Sequence, residues 1–339
     1  MVVSVVMVTY GHEKFIKQSI EGVLMQDCDF DIELILANDC SPDLTDEVVR
    51  GILENHPKSN WIKYTKHPKN IGMISNFMWA AGQATAKYIA LCDGDDYWTD
   101  PLKLQKQVDF LEGNKTIALA AHNVQIVGKE FNEIIDRPYH NQISTGIYNT
   151  EDIIKGFKLP TNSILFRNHL YDFKNTPKWS SKIRSGDKYL YLMLSTFGDI
   201  YYDNTIMGAY RKHEGGIVGS YDSWSYQKHI LIHKNQIFFW RNFKEFFYPK
   251  YQKDININIA KEYADMSLRS LKNQEQFFKS IPYIYFTYWH HKSSFTKIWA
   301  QLIPIFQEKI NKFMHKQHLN FRIFGSKIKQ SLMVLFRLK

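Results

Sequence analysis

The sequence predicts an α/β protein, a mostly parallel sheet flanked by helices and followed by a helical C-terminal extension. Three observations carry this expectation. The first hundred of the 339 residues alternate short β-branched runs with amphipathic stretches. Each run closes on polar residues, as buried parallel strands do. With 44% hydrophobic and 15% aromatic residues the chain can bury a core, which excludes wholesale disorder.

Taken in order, "VVSVVMVTY" is the first strand, and "HEKFIKQSIEGVLMQ" sets Phe15, Ile16, Ser19, Ile20, Val23 and Leu24 on one helical face. "IELILAND" is the second strand. "SPDLTDEVVRGILENHP" then opens a helix with Ser41 as N-cap and Pro42 at the first helical position. "WIKYTKH" is a weaker strand, "ISNFMWAAGQATA" a helix and "KYIALCD" a fourth strand. This order implies right-handed crossovers in an open sheet. A helix over about 102–111 and the strand "TIALAAHNVQIV" follow, then "NSILF" as a short strand and "GDKYLYLMLSTFG" as a helix. "DIYYDNTIMGAYRKHEGG" reads as two short strands, and the pattern is helical from Ser223 onward.

Several classes are excluded. There is no GxGxxG after the first strand and no GxxxxGK[ST], which argues against a dinucleotide dehydrogenase and a P-loop NTPase. Cys28, Cys40 and Cys92 make neither a CxxC pair nor an even disulfide framework, which fits a reducing cytoplasm. The N-terminal residues have no basic leader or cleavage site and read as a strand. No apolar stretch approaches the roughly 18 to 20 residues needed to span a bilayer.

"YIALCDGDDYW" sets Asp93, Asp95 and Asp96 at the end of the fourth strand. Like charges this close destabilise one another unless a cation compensates. Hard carboxylate oxygens suit Mg²⁺ or Mn²⁺, held by one or two carboxylates together with substrate phosphates. In open α/β sheets ligands bind beyond the carboxyl ends of the strands. Thr9 and Tyr10, Asn38 and Asp39, and Asp93 to Asp95 would therefore converge on one edge.

"SVVMVTYGHEKFIKQSIEGVLMQ", "ELILANDCSPDLT", "NIGMISNFMWAAGQATAKYIALCDGDDYW" and the later "GD" and "YRKH" together resemble the family 2 glycosyltransferases, over about residues 2–220. The resemblance implies a Rossmann-like GT-A fold and inverting transfer from a nucleotide-diphospho-sugar, with a UDP-sugar the expected donor. It also implies that Thr9 and Tyr10 lie against the nucleotide, that Asp39 hydrogen-bonds the base and that Asn76 is near it. Asp93 then faces the ribose, and Asp95, of the DxD motif, binds the metal. Asn38 stands where the family has a first aspartate. Asp187 matches the catalytic base, although Gly186 replaces the first acid of the usual "ED" pair; the alternative is a helix-capping aspartate. His213 reaches the metal or diphosphate, and Arg211 faces the phosphates or pairs with a surface acid. Tyr10 is alternatively a plain strand-end aromatic and Asn76 a helix-surface residue. Trp98 stacks on an acceptor sugar or belongs to the core.

The net charge of +9 resides in the tail: from His291 to Lys339 ten Lys and Arg face the single Glu308. Two amphipathic stretches there suit an anionic membrane surface, or alternatively packing on the catalytic domain or a homodimer contact. Nucleic acid is not expected, because no recognition module accompanies the charge. The expected organisation is a catalytic domain over 1–220 (nucleotide half 1–100, acceptor half 101–220), a helical extension over 221–290 and a basic tail over 291–339. A cytoplasmic enzyme of bacterial surface polysaccharide or glycan assembly, peripheral on the inner membrane face and acting on a glycan or lipid-linked acceptor, fits these features. The alternative is a catalytically silent sugar-nucleotide-binding or scaffolding subunit. A nucleotidyltransferase would need a basic glycine loop after the first strand, which "TYGHEKF" does not supply.

Overall fold

The structure is a computed structural model that describes residues 1–130, 133–136, 138–173, 176–213, 216, 225–247, 249–272 and 280–291. The chain divides into two compact units, Met1–Trp224 and Ser225–Lys339.

In the first unit β1 (Val3–Thr9) lies between β2 (Ile32–Asn38) and β4 (Tyr88–Leu91), with β3 (Ile62–Lys66) outside β2, all parallel. Both faces of β1 and β2 are covered, which is why they read as continuous apolar runs. Val3, Val5 and Met7 pack with Leu34 and Leu36 and with Ile16, Ile20 and Val23 of α1 (Ile16–Leu24). Full burial of each such side chain stabilises the fold by about 1.5–3 kcal/mol. The remaining helices are α2 (Thr45–Asn55), α3 (Met73–Ala81), α4 (Lys103–Gly113), α5 (Thr150–Lys155) and α6 (Gly186–Leu194).

Beyond β4 the sheet becomes mixed. β8 (Leu165–Arg167) runs antiparallel to β4 and to β6 (Ile117–Val127), and β9 (Asp199–Arg211) is parallel to β6. The short strands β5 (Tyr97–Trp98) and β7 (Gly146–Tyr148) pair antiparallel with β9. The sheet order is β3-β2-β1-β4-β8-β6-β9-β5, with β7 beside β9.

Two local expectations are corrected. The segment read as two strands is the single strand β9, which pairs with β6 through irregularities near Asn123 that absorb the polar run Asp203–Thr205. Ser41 does not cap α2, which starts at Thr45. Its hydroxyl instead donates to Asn38 Oδ1 (2.7 Å) and accepts the Gly11 N–H (3.0 Å), so it joins the loops after β1 and β2.

The second unit contains α7 (Tyr226–Phe246), α8 (Gln252–Lys272) and α9 (Ser280–His290). Ser225 caps α7 by accepting from Lys228 N–H, and Phe239, Trp240, Phe243, Ile255 and Ile259 are buried. His233 bonds Glu262 (2.7 Å) and His290 stacks on Tyr263. The expected tail helices lie outside the described residues, apart from His291. Among the described residues no helix is long and apolar enough to cross a membrane.

Candidate active site

The ends of β1, β2 and β4 meet at one edge and are laced together by main-chain bonds. Asp39 N–H donates to Thr9 O (3.0 Å) and Gly94 N–H to Val8 O (3.0 Å). Straight after Asp39 the chain turns through Cys40, whose φ of 60° lies in the left-handed region. The acidic loop closes on itself through Asp96 N–H to Asp93 O (3.1 Å). Gly94 makes this approach feasible: a Cβ there would lie 2.8 Å from Thr9 Cβ and Oγ1 and 3.0 Å from His12 Nδ1. Neither neighbour is the tip of a flexible chain, so Gly94→Ala should cost about 1–3 kcal/mol. Thermal unfolding followed by circular dichroism should show the midpoint falling by about 2–12 °C. An unchanged midpoint would mean that the loop does not rest on Thr9 and His12.

The three acids of this loop differ. Asp95 is torn between burial, which alone would raise its pKa, and a hydrogen bond with His213 plus the nearby His12, which hold it below the ordinary carboxylate range. Its Oδ2 is 3.0 Å from His213 Nε2 and 3.9 Å from His12 Nε2. Burial, then the charges of Asp95 and Asp187, push Asp93 up to about 8. Burial and the charges of Asp95 and Asp93 put Asp96 well above its usual value, although it accepts the Arg211 N–H (2.8 Å). Two of the three acids thus carry protons more readily than ordinary carboxylates do, which relieves the crowding that the sequence made conspicuous.

Asp187 is the second residue of α6, one position beyond Gly186, and Ser185 holds the N-cap position. Asp187 is therefore not the cap; it accepts a bond from Thr161 Oγ1 (3.3 Å) and is close enough to Asp93 to raise its pKa. A Cβ at Gly186 would lie 2.7 Å from Ile74 Cδ1, the movable end of that side chain. Tyr10 is 48% exposed at the edge, whereas Thr9 is buried with its hydroxyl 3.2 Å from His12 Nδ1. Asp39 is buried and accepts the Ile71 (2.7 Å) and Gly72 (2.9 Å) N–H groups, anchoring the start of α3. Each of its oxygens retains a further lone pair. Asn38 donates to Tyr64 Oη (2.9 Å), whose own proton goes to Asp46 (2.7 Å). An ionised aspartate at 38 could not make that donation, a physical reason for the departure from the paired acids.

Three expected ligand contacts do not fit the geometry. Trp98 is 1% exposed, its Nε1–H donates to Asn162 O (2.6 Å) and Lys103 Nζ covers its ring at 3.9 Å. With no face open, it belongs to the core and not to an acceptor platform. Arg211 is 4% exposed and donates to Asp95 O (2.9 Å), Gly128 O (3.0 Å) and Gln18 Oε1 (2.7 Å). It pins the acidic loop to α1 and does not face phosphates or a surface acid. Asn76 is buried and joins Ala37 O (3.0 Å) to His67 (3.0 Å), so both its polar ends are engaged beneath the edge.

His12 is the residue that sequence reading passed over. Its signal was positional, three residues past the end of β1 and thus on the same edge as Asp95. Ligand atoms of His12, Asp95 and His213 lie within 4.8 Å of one another, as do those of Asp93, Asp95 and Asp96. The first set offers two imidazoles and a carboxylate; in the second Asp96 already accepts from Arg211. The residues present therefore fit a divalent cation.

Residues 4–173 match the family model described as glycosyl transferase family 2, half of the chain. The chain is a family 2 glycosyltransferase. An uncharacterised protein of Mycobacterium tuberculosis is 29% identical to this glycosyltransferase over 217 residues, 63% of this chain and 60% of that protein. The chain thus matches about 60% of the length of that relative. S. aureus TarS residues 1–349 with UDP superposes with a TM-score of 0.58 at 16% identity, covering 95% of this chain and 93% of that 1–349 chain. The mannosyltransferase PcManGT of Pyrobaculum calidifontis, with GDP-Man and Mn²⁺, gives a TM-score of 0.52 at 13% identity over 83% of this chain and 73% of that one. At these identities the likeness shows the fold, which is GT-A.

Proposed function

We propose that this family 2 glycosyltransferase transfers a sugar, with inversion, from a nucleotide-diphospho-sugar to an acceptor hydroxyl, and that it requires a divalent cation. The observation that carries the reading is the meeting on one edge of Asp95, with His213 at 3.0 Å, and of Asp93 with Asp187 within electrostatic reach. Asp95 and His213 would hold Mn²⁺ or Mg²⁺, and a cation there neutralises the charge that develops on a departing diphosphate. Asp187 takes the acceptor's proton, as single displacement at the anomeric carbon requires. Asp39 and Tyr10 receive the base, and Asp93 the ribose. TarS with UDP and PcManGT with GDP-Man and Mn²⁺ support a diphosphonucleoside donor. The UDP-sugars are the first candidates.

Residues 1–220 form the catalytic domain in this reading, with 221–290 as a helical extension. The basic tail over 291–339 attaches the enzyme to the anionic inner face of the cell membrane, where a lipid-linked acceptor or growing glycan would be met. The test is a panel of UDP- and GDP-sugars incubated with the full chain and Mn²⁺, with donor hydrolysis and transfer read out. Turnover of one donor that stops on adding EDTA and returns with excess Mn²⁺ is expected; turnover indifferent to EDTA would remove the metal. A second reading, a silent sugar-nucleotide-binding subunit, is favoured by Gly186, which leaves the position of the first acid without a carboxylate. Donor binding without any hydrolysis across the panel would select it.

A further inference from the structure

His12 is held more rigidly than a loop histidine requires. Its N–H donates to Thr45 Oγ1 (3.0 Å), and its carbonyl accepts from Phe15 and Ile16 N–H (both 2.9 Å). Its Nδ1 is 3.2 Å from Thr9 Oγ1, and Thr9 is itself wedged beneath Gly94. This leaves Nε2 directed at the site, 3.9 Å from Asp95 Oδ2. His213 presents its own Nε2 to the same oxygen at 3.0 Å, and the two rings stand edge to face with centroids 6.1 Å apart. When Nδ1–H of a neutral imidazole is donated to Thr9, Nε2 carries a lone pair. A lone pair turned toward a carboxylate oxygen is repulsive unless something positive lies between them.

We infer that His12 is a third protein ligand of the cation, and that the resulting pair of imidazoles biases the site toward manganese and other transition ions over magnesium. This rests on the metal-dependent reading above. Ligands at right angles about one cation, each about 2.1 Å from it, stand about 3 Å apart. The His213–Asp95 pair already has that spacing, and His12 needs to close by about 1 Å. Transition ions take imidazole readily, increasingly along the Irving–Williams order, whereas Mg²⁺ retains oxygen ligands and water. The hydrogen bond that His12 Nδ1–H donates to the Thr9 hydroxyl orients the ring plane of His12, as an outer partner does for metal-bound imidazoles. Thr9 thereby acts as a positioning residue.

The experiment is pulsed electron paramagnetic resonance on the full chain with manganese chloride, alone and with UDP or GDP, beside titrations that give the Mn²⁺ and Mg²⁺ affinities. Two histidine nitrogen couplings are expected in the wild type and one in His12→Ala. Mn²⁺ affinity should fall about 10-fold or more in that variant, as loss of a well-placed ligand or its partner does, while Mg²⁺ affinity moves far less. His12→Gln, which retains hydrogen-bonding capacity, is the control for folding and should lose the same coupling. A single nitrogen coupling in the wild type, or equal losses for both metals, would overturn the role of His12 and leave the metal-dependent reading standing. No binding of either ion with either nucleotide would remove both.

Discussion

Asp187→Asn should reduce turnover by about 10²–10⁴-fold, the span attributable to a positioned general base, and leave donor affinity nearly unchanged. The amide keeps the size and the acceptor oxygen that meets Thr161 Oγ1, so the start of α6 need not move. It cannot take a proton from an acceptor hydroxyl. The split between kcat and donor binding is the diagnostic: steady-state transfer should collapse, while nucleotide binding by calorimetry should remain within about 3-fold, a difference below 1 kcal/mol. Turnover near the wild-type level would take Asp187 out of the chemistry. Equal loss of donor binding would show instead that it shapes the nucleotide pocket through Asp93, the neighbour whose pKa it raises.

Lys103→Met should stabilise the protein, and more so at neutral than at alkaline pH. Lys103 is 0% exposed, its Nζ has no hydrogen-bond partner, and the Trp98 ring lies 3.9 Å away. Burial lowers its pKa from 10.5 to about 7. The unfolded chain therefore binds this proton more readily than the folded one between pH 7 and 10.5, and stability rises with pH across that window. Below about pH 7 the group's full penalty applies, about 5 kcal/mol at 1.4 kcal/mol per pH unit. The cation–π contact is a separate gain of about 0.5–2 kcal/mol that methionine forgoes, so the net gain at pH 6.5 should be about 3–4 kcal/mol. Urea unfolding at pH 6.5 and pH 9.5 would measure it: the variant's advantage should shrink at the higher pH. A constant advantage would show that the buried amine does not titrate as its surroundings dictate.

What the sequence reveals of this fold and what it hides divide along sequence distance. The strands β1, β2 and β4 were legible because burial on both faces leaves an uninterrupted apolar run. The acidic loop was conspicuous because its like charges are adjacent in the chain. Ligand contacts are expected of Arg211, Trp98 and Asn76 from their places in or beside the motifs that resemble the family, with a surface pair, the core and the helix surface as their alternatives. Their actual partners are the Asp95 carbonyl, the Asn162 carbonyl and the Ala37 carbonyl, which lie 116, 64 and 39 residues away. Main-chain acceptors leave no trace in composition or spacing. His12 escaped notice for the same reason, since its significance depends on Asp95 and His213, themselves 118 residues apart. The long β9 was divided in two because its polar middle resembles a turn until β6 is beside it.

The tie from Arg211 to the acidic loop has a consequence for the order of assembly during synthesis. The nucleotide half leaves the ribosome first, with Asp95 and Asp96 lacking their tether until the end of β9 has emerged and docked. His213 arrives only two residues after that anchor. A nascent chain therefore has neither the tethered acidic loop nor His213 beside Asp95 until the first compact unit is nearly whole.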